Sequence, residues 1–329
     1  MNFFGEFMTR VLVSTVPFGA IDGTPLQLLH DAGIDVTINP FNKKLTEGEL
    51  CELIKPYDGL IAGTEVISKR VLENAPNLKV ISRVGIGLDA LDLLEARGRN
   101  VMVSYTPDAP ADAVADLTIG LMFSLLRGIG KSNLGMHKLD WRRIFGRRLI
   151  DVDVGVIGVG RVGSRVIDYL HDLGNRSIRY MDRDITLSER EGVHAANMRE
   201  ILTKSDIVSV HVPLDSTTRN LIDVAELSLL KKDAFLINTA RGGVVNERAL
   251  YNALSDNAIG GAAIDVFELE PYQGQLAGLE NCILTAHMGS MTFQSRARME
   301  IEATRDIIRF FEGEEVLSPV PEFEYDLRG

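Results

Sequence analysis

Three residues able to hold an anion or move a proton follow closely on predicted β-strands. Arg241 comes after Leu236-Ile237-Asn238-Thr239-Ala240, Glu270 after Asp265-Val266-Phe267-Glu268-Leu269, and His287 after Leu284-Thr285-Ala286. A guanidinium stays charged and offers parallel donors to a carboxylate, while an imidazole titrates near neutral pH and can give or take a proton. A carboxylate beside the imidazole would favour its protonated form and fix the ring. Together they suit hydride transfer onto a 2-oxo acid. The cation would grip the carboxylate and polarise the ketone, the imidazolium would protonate the developing alkoxide, and the neutral ring would serve as base in reverse. The first and last lie 46 residues apart. The carboxyl ends of parallel strands open on one crevice, however, so all three can converge there.

Each residue also has a plainer reading: a structural ion pair for Arg241, an exposed turn before Pro271 for Glu270, a satisfied core or surface residue for His287. What favours chemistry is a dinucleotide-type motif upstream. The stretch opening Asp151-Val152-Asp153-Val154-Gly155-Val156-Ile157 holds a buried strand rich in Val and Ile, followed by Gly158-Val159-Gly160-Arg161-Val162-Gly163 in G-x-G-x-x-G spacing and a helix from about Arg161. Gly158 allows the tight turn, Gly160 lets backbone approach a pyrophosphate, and Gly163 lets the helix pack on the strand. The helix N-terminus offers free N–H groups to phosphates. Asp182, 19 residues past the third glycine at the end of a second strand, is placed to accept bonds from ribose hydroxyls. A 2′-phosphate would meet like charge there, so NAD is expected over NADP, with Arg183 next door as the opposing feature. His211, at another strand end, is assigned to the cofactor's surroundings, while His30, His137, His171 and His194 carry no such signal.

At 329 residues and 45% hydrophobic content the chain predicts about two well-packed domains. A net charge of −11 argues against nucleic acid or an anionic membrane as partner, so an anionic substrate must be taken by a local cluster. Cys51 and Cys282 alone give neither a disulfide framework nor a zinc set, which fits a reducing cytoplasm, and no metal site is expected. Met1 to Arg10 does not resemble a signal peptide, and no apolar run reaches the roughly 18 residues needed to span a bilayer.

Strand and helix alternate from Arg10. Strands are expected at 10–15, 35–39, 59–62, 79–84 and 101–105, with helices at 24–32, 46–55, 68–75 and 91–97, the second opened by a Thr46-x-x-Glu49 capping box. Thr106-Pro107-Asp108-Ala109-Pro110 reads as a hinge, and 111–127 as a largely buried helix. The basic stretch 130–149 is either a solvated face or part of an anion-binding cleft, that of a neighbouring subunit included. Beyond the glycine motif, strands at 206–212, 234–240, 262–267 and 282–286 complete six of a doubly wound sheet. The helix 292–312 is expected to return to the first domain. The fold class is α/β, two Rossmann-like doubly wound domains with an active-site cleft between them. Residues 1–105 with 292–329 form a flavodoxin-like substrate-binding domain, and 106–291 the NAD-binding domain.

At these residues the sequence resembles the D-isomer-specific 2-hydroxyacid dehydrogenases, particularly the D-3-phosphoglycerate dehydrogenase branch. The likeness runs from about Val11 to Glu312. It is carried by Leu78 to Asp89, Val154 to Gly163, Ile237 to Gly243, Gly261 to Pro271 and Thr285-Ala286-His287-Met288-Gly289-Ser290. Arg241, Glu270 and His287 fall on the family's catalytic positions. The resemblance further implies contact of Val84 and Gly85 with the substrate carboxylate. It implies cofactor contacts from Arg161, Val162, Asp182, Thr239, Asp265 and His287, with Ala240 and Gly289 beside them, and a homodimer built largely through the nucleotide domain.

Departures bear on the substrate. Ala286 replaces the family's usual Pro and Ser290 its second glycine, and Ile61-Ala62-Gly63-Thr64 lacks the arginine that phosphoglycerate enzymes commonly carry for the phosphate. Arg83 or the cations from Arg142 to Arg148 would have to replace it. The expected activity is reversible hydride transfer between NAD(H) and a small anionic 2-hydroxy or 2-oxo acid, with 3-phosphoglycerate/3-phosphohydroxypyruvate as one pair. Alternatives are phosphonopyruvate, glyoxylate or hydroxypyruvate as substrate, phosphite oxidation, or a non-enzymatic NAD-sensing role like that of the C-terminal binding corepressors. Formate oxidation is disfavoured because formate enzymes of this fold usually carry glutamine where Glu270 stands.

Overall fold

The computed structural model describes residues 8–175 and 177–326. The chain opens with β1 (Arg10–Val13), α1 (Thr24–Asp31), β2 (Asp35–Ile38), α2 (Glu47–Leu53), β3 (Gly59–Ala62), α3 (Lys69–Glu73), β4 (Val80–Arg83), α4 (Leu93–Gly98) and β5 (Met102–Tyr105). It continues through α5 (Ala111–Arg127), α6 (Ile129–His137), β6 (Val154–Ile157), α7 (Arg161–Asp172), β7 (Ile178–Met181), β8 (Val193–Ala195), α8 (Met198–Lys204) and β9 (Ile207–Val210). Then come α9 (Val224–Leu229), β10 (Phe235–Asn238), α10 (Glu247–Ser255), β11 (Gly261–Ile264), β12 (Cys282–Leu284), α11 (Phe293–Glu312) and α12 (Glu322–Asp326). The chain divides into two compact units. One runs through Pro110 and resumes at Thr292, and the other is Ala111–Met291.

The first unit holds a five-stranded parallel sheet in the order β2-β1-β3-β4-β5. Alternate residues of its strands feed two cores, as the two-residue period of a strand requires. Leu12, Leu60, Ile81 and Val103 pack under α2, α3 and α4, while Val11, Val13, Ile61 and Val80 meet α11 through Met299, Ala303 and Ile307. At α2 the Thr46 hydroxyl accepts the Glu49 N–H and the Glu49 carboxylate accepts the Thr46 N–H, the reciprocal cap that its sequence announced.

The second unit carries a parallel sheet ordered β12-β11-β10-β9-β6-β7-β8. Among the described residues it has seven strands rather than the expected six. The extra one, β8, is a three-residue edge strand with His194 and Ala195 exposed, too short and too polar to show in the sequence pattern. The sheet is again covered on both faces: Val154, Val156, Ile207 and Ile237 pack with α5 and α7, and Ile157, Val208, Val210 and Leu236 with α8, α9 and α10. Among the described residues no single helix is long and apolar enough to cross a membrane. α5 and α6, bent by 65°, pass that test together by length and composition only, and one face of α5, with Ala115, Leu121, Met122 and Leu126, is buried in the second unit's core.

Candidate active site

In the second unit the strand order reverses between β6 and β9, which makes their carboxyl ends the crevice of a doubly wound sheet. The three motif glycines stand there for different steric reasons. Gly158 has φ +89°, and a Cβ on it would lie 2.8 Å from the His211 carbonyl. A Cβ on Gly163 would lie 2.0 Å from the Gly158 oxygen. A Cβ on Gly160, by contrast, would meet no atom of the described residues within 4 Å. Gly158 and Gly163 are therefore fixed by packing, whereas Gly160 leaves an open approach to the uncapped N-terminus of α7, a 12-residue helix. A phosphate fits that place, because the free N–H groups and the helix dipole favour an anion.

Asp182 follows β7 and faces the same turn. Its Oδ2 accepts the Val159 N–H at 2.7 Å, and its Oδ1 accepts the N–H groups of Asp184 (2.9 Å) and Ile185 (3.1 Å). The carboxylate thus ties the glycine turn to the end of β7 and leaves negative charge beside it.

Arg241, Glu270 and His287 come off the carboxyl ends of β10, β11 and β12, three adjacent parallel strands. The His287 Nδ1 lies 2.8 and 3.0 Å from the two Glu270 carboxylate oxygens. A carboxylate only accepts, so Nδ1–H donates and Nε2 is the ring atom turned to other work. Arg241 is set by a turn that Asn238 pins: the Asn238 Nδ2 donates to the Arg241 carbonyl (2.9 Å) and its Oδ1 accepts the Ala240 N–H (3.0 Å). The Arg241 Nη1 donates to the Ala240 carbonyl at 2.6 Å. Next to it, a Cβ on Gly242 would sit 2.0 Å from the Phe267 carbonyl, so the arginine turn lies directly on the segment that leads to Glu270.

That segment is held by two acids which motif reading alone did not single out for the purpose. The Glu247 Oε1 accepts the Glu268 N–H at 2.7 Å, and burial, then the negative charges of Glu268 and Glu270, pushes the Glu247 carboxyl above its ordinary range. Asp265, 1% exposed, accepts the Thr285 hydroxyl (2.5 Å) and the N–H groups of Met288 and Gly289 (both 2.9 Å). Its own carbonyl accepts the His287 N–H at 2.8 Å. His287 is thereby kept at φ +48°, a conformation few residues other than glycine adopt. Asn238 lay inside the Ile237 to Gly243 stretch without a role assigned to it, and Glu247 carried no motif; its only sequence signal was a polar residue opening a helix.

The amino-acid stretch 119–289 matches the model of the D-isomer specific 2-hydroxyacid dehydrogenase NAD-binding domain. The chain belongs to this family. The 2-hydroxyacid dehydrogenases are oxidoreductases that act on the CH–OH group with NAD(H), and this chain is one of them. It is 35% identical over 279 residues to a glyoxylate reductase of Thermococcus litoralis, covering 81% of this chain and 84% of that one. It is 36% identical to a D-3-phosphoglycerate dehydrogenase of Methanocaldococcus jannaschii, covering 82% of this chain and 53% of the longer relative. The crystal structure of the TT0316 protein of Thermus thermophilus superposes with a TM-score of 0.86 at 31% identity, over 95% of this chain and all of that one.

Other positions expected of a 2-hydroxyacid dehydrogenase have additional ties. Thr118 donates its hydroxyl hydrogen to the Val114 carbonyl, so Thr239, 2.8 Å from it, is the donor to Thr118 and turns its hydroxyl toward α5. Arg161 and Val162 occupy the first turn of α7, and Val162 packs against the core below. His211 follows β9; its Nε2 meets the Ser209 hydroxyl at 2.8 Å, and burial pushes its pKa down to about 3. In the first unit the Val84 N–H donates to the Ala62 carbonyl (2.9 Å) and the Gly85 N–H to the Thr106 hydroxyl (2.8 Å). A carboxylate bound there would share those donors. Among the described residues no group of three or more His, Cys, Asp or Glu is placed to hold a metal.

Three cations of the basic stretch pair with carboxylates of their own unit. Arg147 pairs with Asp206 (3.2 Å) and Asp233 (3.3 Å), at the amino-terminal edges of β9 and β10, opposite the glycine turn. Arg142 pairs with Asp140 and Arg148 with Asp151. Local carboxylates thus pair with these three cations.

Proposed function

We propose that this chain interconverts a small 2-oxo acid and its D-2-hydroxy acid, with Arg241, Glu270 and His287 as the catalytic set and the second unit as the NAD-binding domain. The observation that carries the reading is the 2.8 Å bond from His287 Nδ1 to Glu270, made at the carboxyl ends of strands adjacent to the one that delivers Arg241. Arg241 holds the substrate carboxylate and polarises the 2-oxo group. His287 gives the proton on Nε2 to the oxygen at C2 during reduction and recovers it during oxidation, while Glu270 accepts the Nδ1–H and fixes the ring. A nicotinamide held in the second unit would supply the hydride to C2 during reduction and accept it during oxidation. Gly160 and the N-terminus of α7 would hold the pyrophosphate and Asp182 the ribose, and in the first unit Val84 and Gly85 would contact the substrate carboxylate.

The deciding experiment is a panel of 2-oxo acids, including glyoxylate, hydroxypyruvate, 3-phosphohydroxypyruvate and phosphonopyruvate, followed by loss of NADH absorbance. The wild-type protein reduces at least one. His287→Ala lowers kcat by about 10²- to 10⁴-fold while NADH still binds. An intact protein that binds NADH and reduces none of them would refute the assignment and favour a sensing role.

We also infer a homodimer. Leu139, Trp141 and Phe145 are 94%, 79% and 102% exposed within one short stretch of the second unit, and large apolar side chains exposed together suit contact with another chain. Light scattering should give twice the chain mass, and Phe145→Asp should shift it toward the monomer.

A further inference from the structure

In the first unit the strand order reverses between β1 and β3, so its ligand crevice lies beyond the carboxyl ends of those two strands, at Ser14-Thr15 and Gly63-Thr64-Glu65. That crevice is filled by an acid. Glu65 is 2% exposed, and its Oε1 accepts the Gly63 N–H at 2.9 Å and the Ser14 hydroxyl. A Cβ on Gly63 would lie 2.8 Å from the Glu65 Oε2 and 2.9 Å from the Thr15 hydroxyl oxygen, so the absence of a side chain at 63 is what admits the carboxylate.

The donors that could have received a substrate anion here, a backbone N–H and a hydroxyl at strand ends, are bonded to the protein's own carboxylate. The nearby cations are also engaged. Arg296 donates to the Thr15 hydroxyl at 2.9 Å and is paired in the interior with Glu300 at 2.5 Å, whose other oxygen accepts the Gly19 N–H at 2.8 Å. Arg83, 9% exposed, lies with its guanidinium against Gly85 and donates to the Val84 carbonyl. The formal charges of Arg83, Arg296, Glu65 and Glu300 sum to zero, so these four side chains bring no surplus positive charge to the crevice. A phosphate would add nearly two negative charges at pH 7. Like charges brought together in a partly desolvated crevice repel strongly enough to discriminate by tenfold or more.

We propose that Glu65 is a specificity-determining residue. It excludes 2-oxo acids that carry a phosphate on C3 and leaves the enzyme to those with hydrogen, methyl or hydroxymethyl on the oxo carbon. The inference rests on the assignment of this chain as a reductase of 2-oxo acids with the first unit as its substrate domain.

Hydroxypyruvate and 3-phosphohydroxypyruvate share a carbon skeleton and differ only in the phosphate, which makes them the test pair. Wild-type kcat/KM should favour hydroxypyruvate by roughly tenfold or more. Glu65→Gln keeps the shape and an acceptor oxygen while removing the charge, and should move that ratio by about fivefold or more toward the phosphorylated substrate. A wild-type ratio near unity, or one favouring the phosphate, overturns the inference even if the variant cannot be purified folded. So does an unchanged ratio in a folded Glu65→Gln protein, shown by its circular dichroism melt. A wild-type protein that reduces neither compound nor any other 2-oxo acid instead brings down the reductase assignment itself, and this inference with it.

Discussion

Asp265 holds Gly289 in place: its Oδ2 accepts the Gly289 N–H at 2.9 Å from the buried end of β11. The same carboxylate takes the Met288 N–H and the Thr285 hydroxyl, so one acid clamps both sides of His287. Its replacement strips acceptors from three donors and frees a residue held at positive φ. Asp265→Ala should cost on the order of 3 kcal/mol of stability, since each unsatisfied buried donor costs about 1–3 kcal/mol and the surroundings relax in part. kcat should fall further than Asp265→Ala weakens NADH binding. Urea unfolding and steady-state kinetics on one preparation check both. A stable variant with wild-type kcat would mean that the loop keeps its shape without the clamp.

The three motif glycines should separate on mutation. Gly163→Ala forces a Cβ to within 2.0 Å of the Gly158 oxygen, and both partners are backbone, so the helix must move. A loss of about 1–3 kcal/mol is expected, as for other overpacked sites. Gly160→Ala meets open space and should cost less than about 1 kcal/mol, the difference between glycine and alanine at a helix N-cap. It should nevertheless weaken NADH binding by about tenfold or more, because the new methyl stands where the pyrophosphate must approach. Thermal melts and NADH fluorescence titrations distinguish the two. A Gly160→Ala protein with native NADH affinity would contradict the placement of the phosphates.

If Asp182 receives the ribose as proposed, it should set the preference between the two nicotinamide cofactors. Asp182→Asn retains an acceptor for the Val159 N–H and removes the charge that a 2′-phosphate would face. The ratio of kcat/KM for NADH over NADPH should drop by about tenfold, which corresponds to about 1.4 kcal/mol. A ratio that does not move would assign the discrimination to another residue.

Much of this was legible in the residues because each local rule agreed with the tertiary structure. Thr46 and Glu49 cap α2 as their spacing requires, and Gly158 and Gly163 have no alternative once the turn is tight. Strand ends were less legible. The stretch read as 206–212 is strand only over Ile207–Val210, since the β-branched run that signals burial outlasts the ladder of hydrogen bonds. β8 escaped notice because an edge strand of three residues buries only Val193. The clamp by Asp265, the support of the Glu270 turn by Glu247 and the filling of the first unit's crevice by Glu65 join residues through folding, and no period or motif encodes such joins. Arg147 was visible as a charge, but its partners Asp206 and Asp233 were not.

His211 makes acid stability the most direct electrostatic test. The residue keeps some solvent contact, yet its Nδ1 is out of solvent with no partner among the described residues, and its Nε2 meets the Ser209 hydroxyl. Desolvation therefore holds the ring neutral, with its pKa pushed down from 6.5 to about 3. The unfolded chain binds a proton on this ring near pH 6.5 while the folded chain refuses it until about pH 3. Between those values the unfolded state carries more protons, so stability is full above pH 6.5 and declines as pH falls toward 3. One such group adds up to about 1.4 kcal/mol per pH unit to the slope. His211→Gln removes the titration and keeps a polar side chain of similar size. The loss of unfolding free energy between about pH 7 and about pH 5, measured by urea titration, should be smaller in His211→Gln than in the wild type by on the order of 1–2 kcal/mol. Equal losses in the two proteins would show that the ring is protonated in the folded state, and its place beside the glycine turn would then have to be polar.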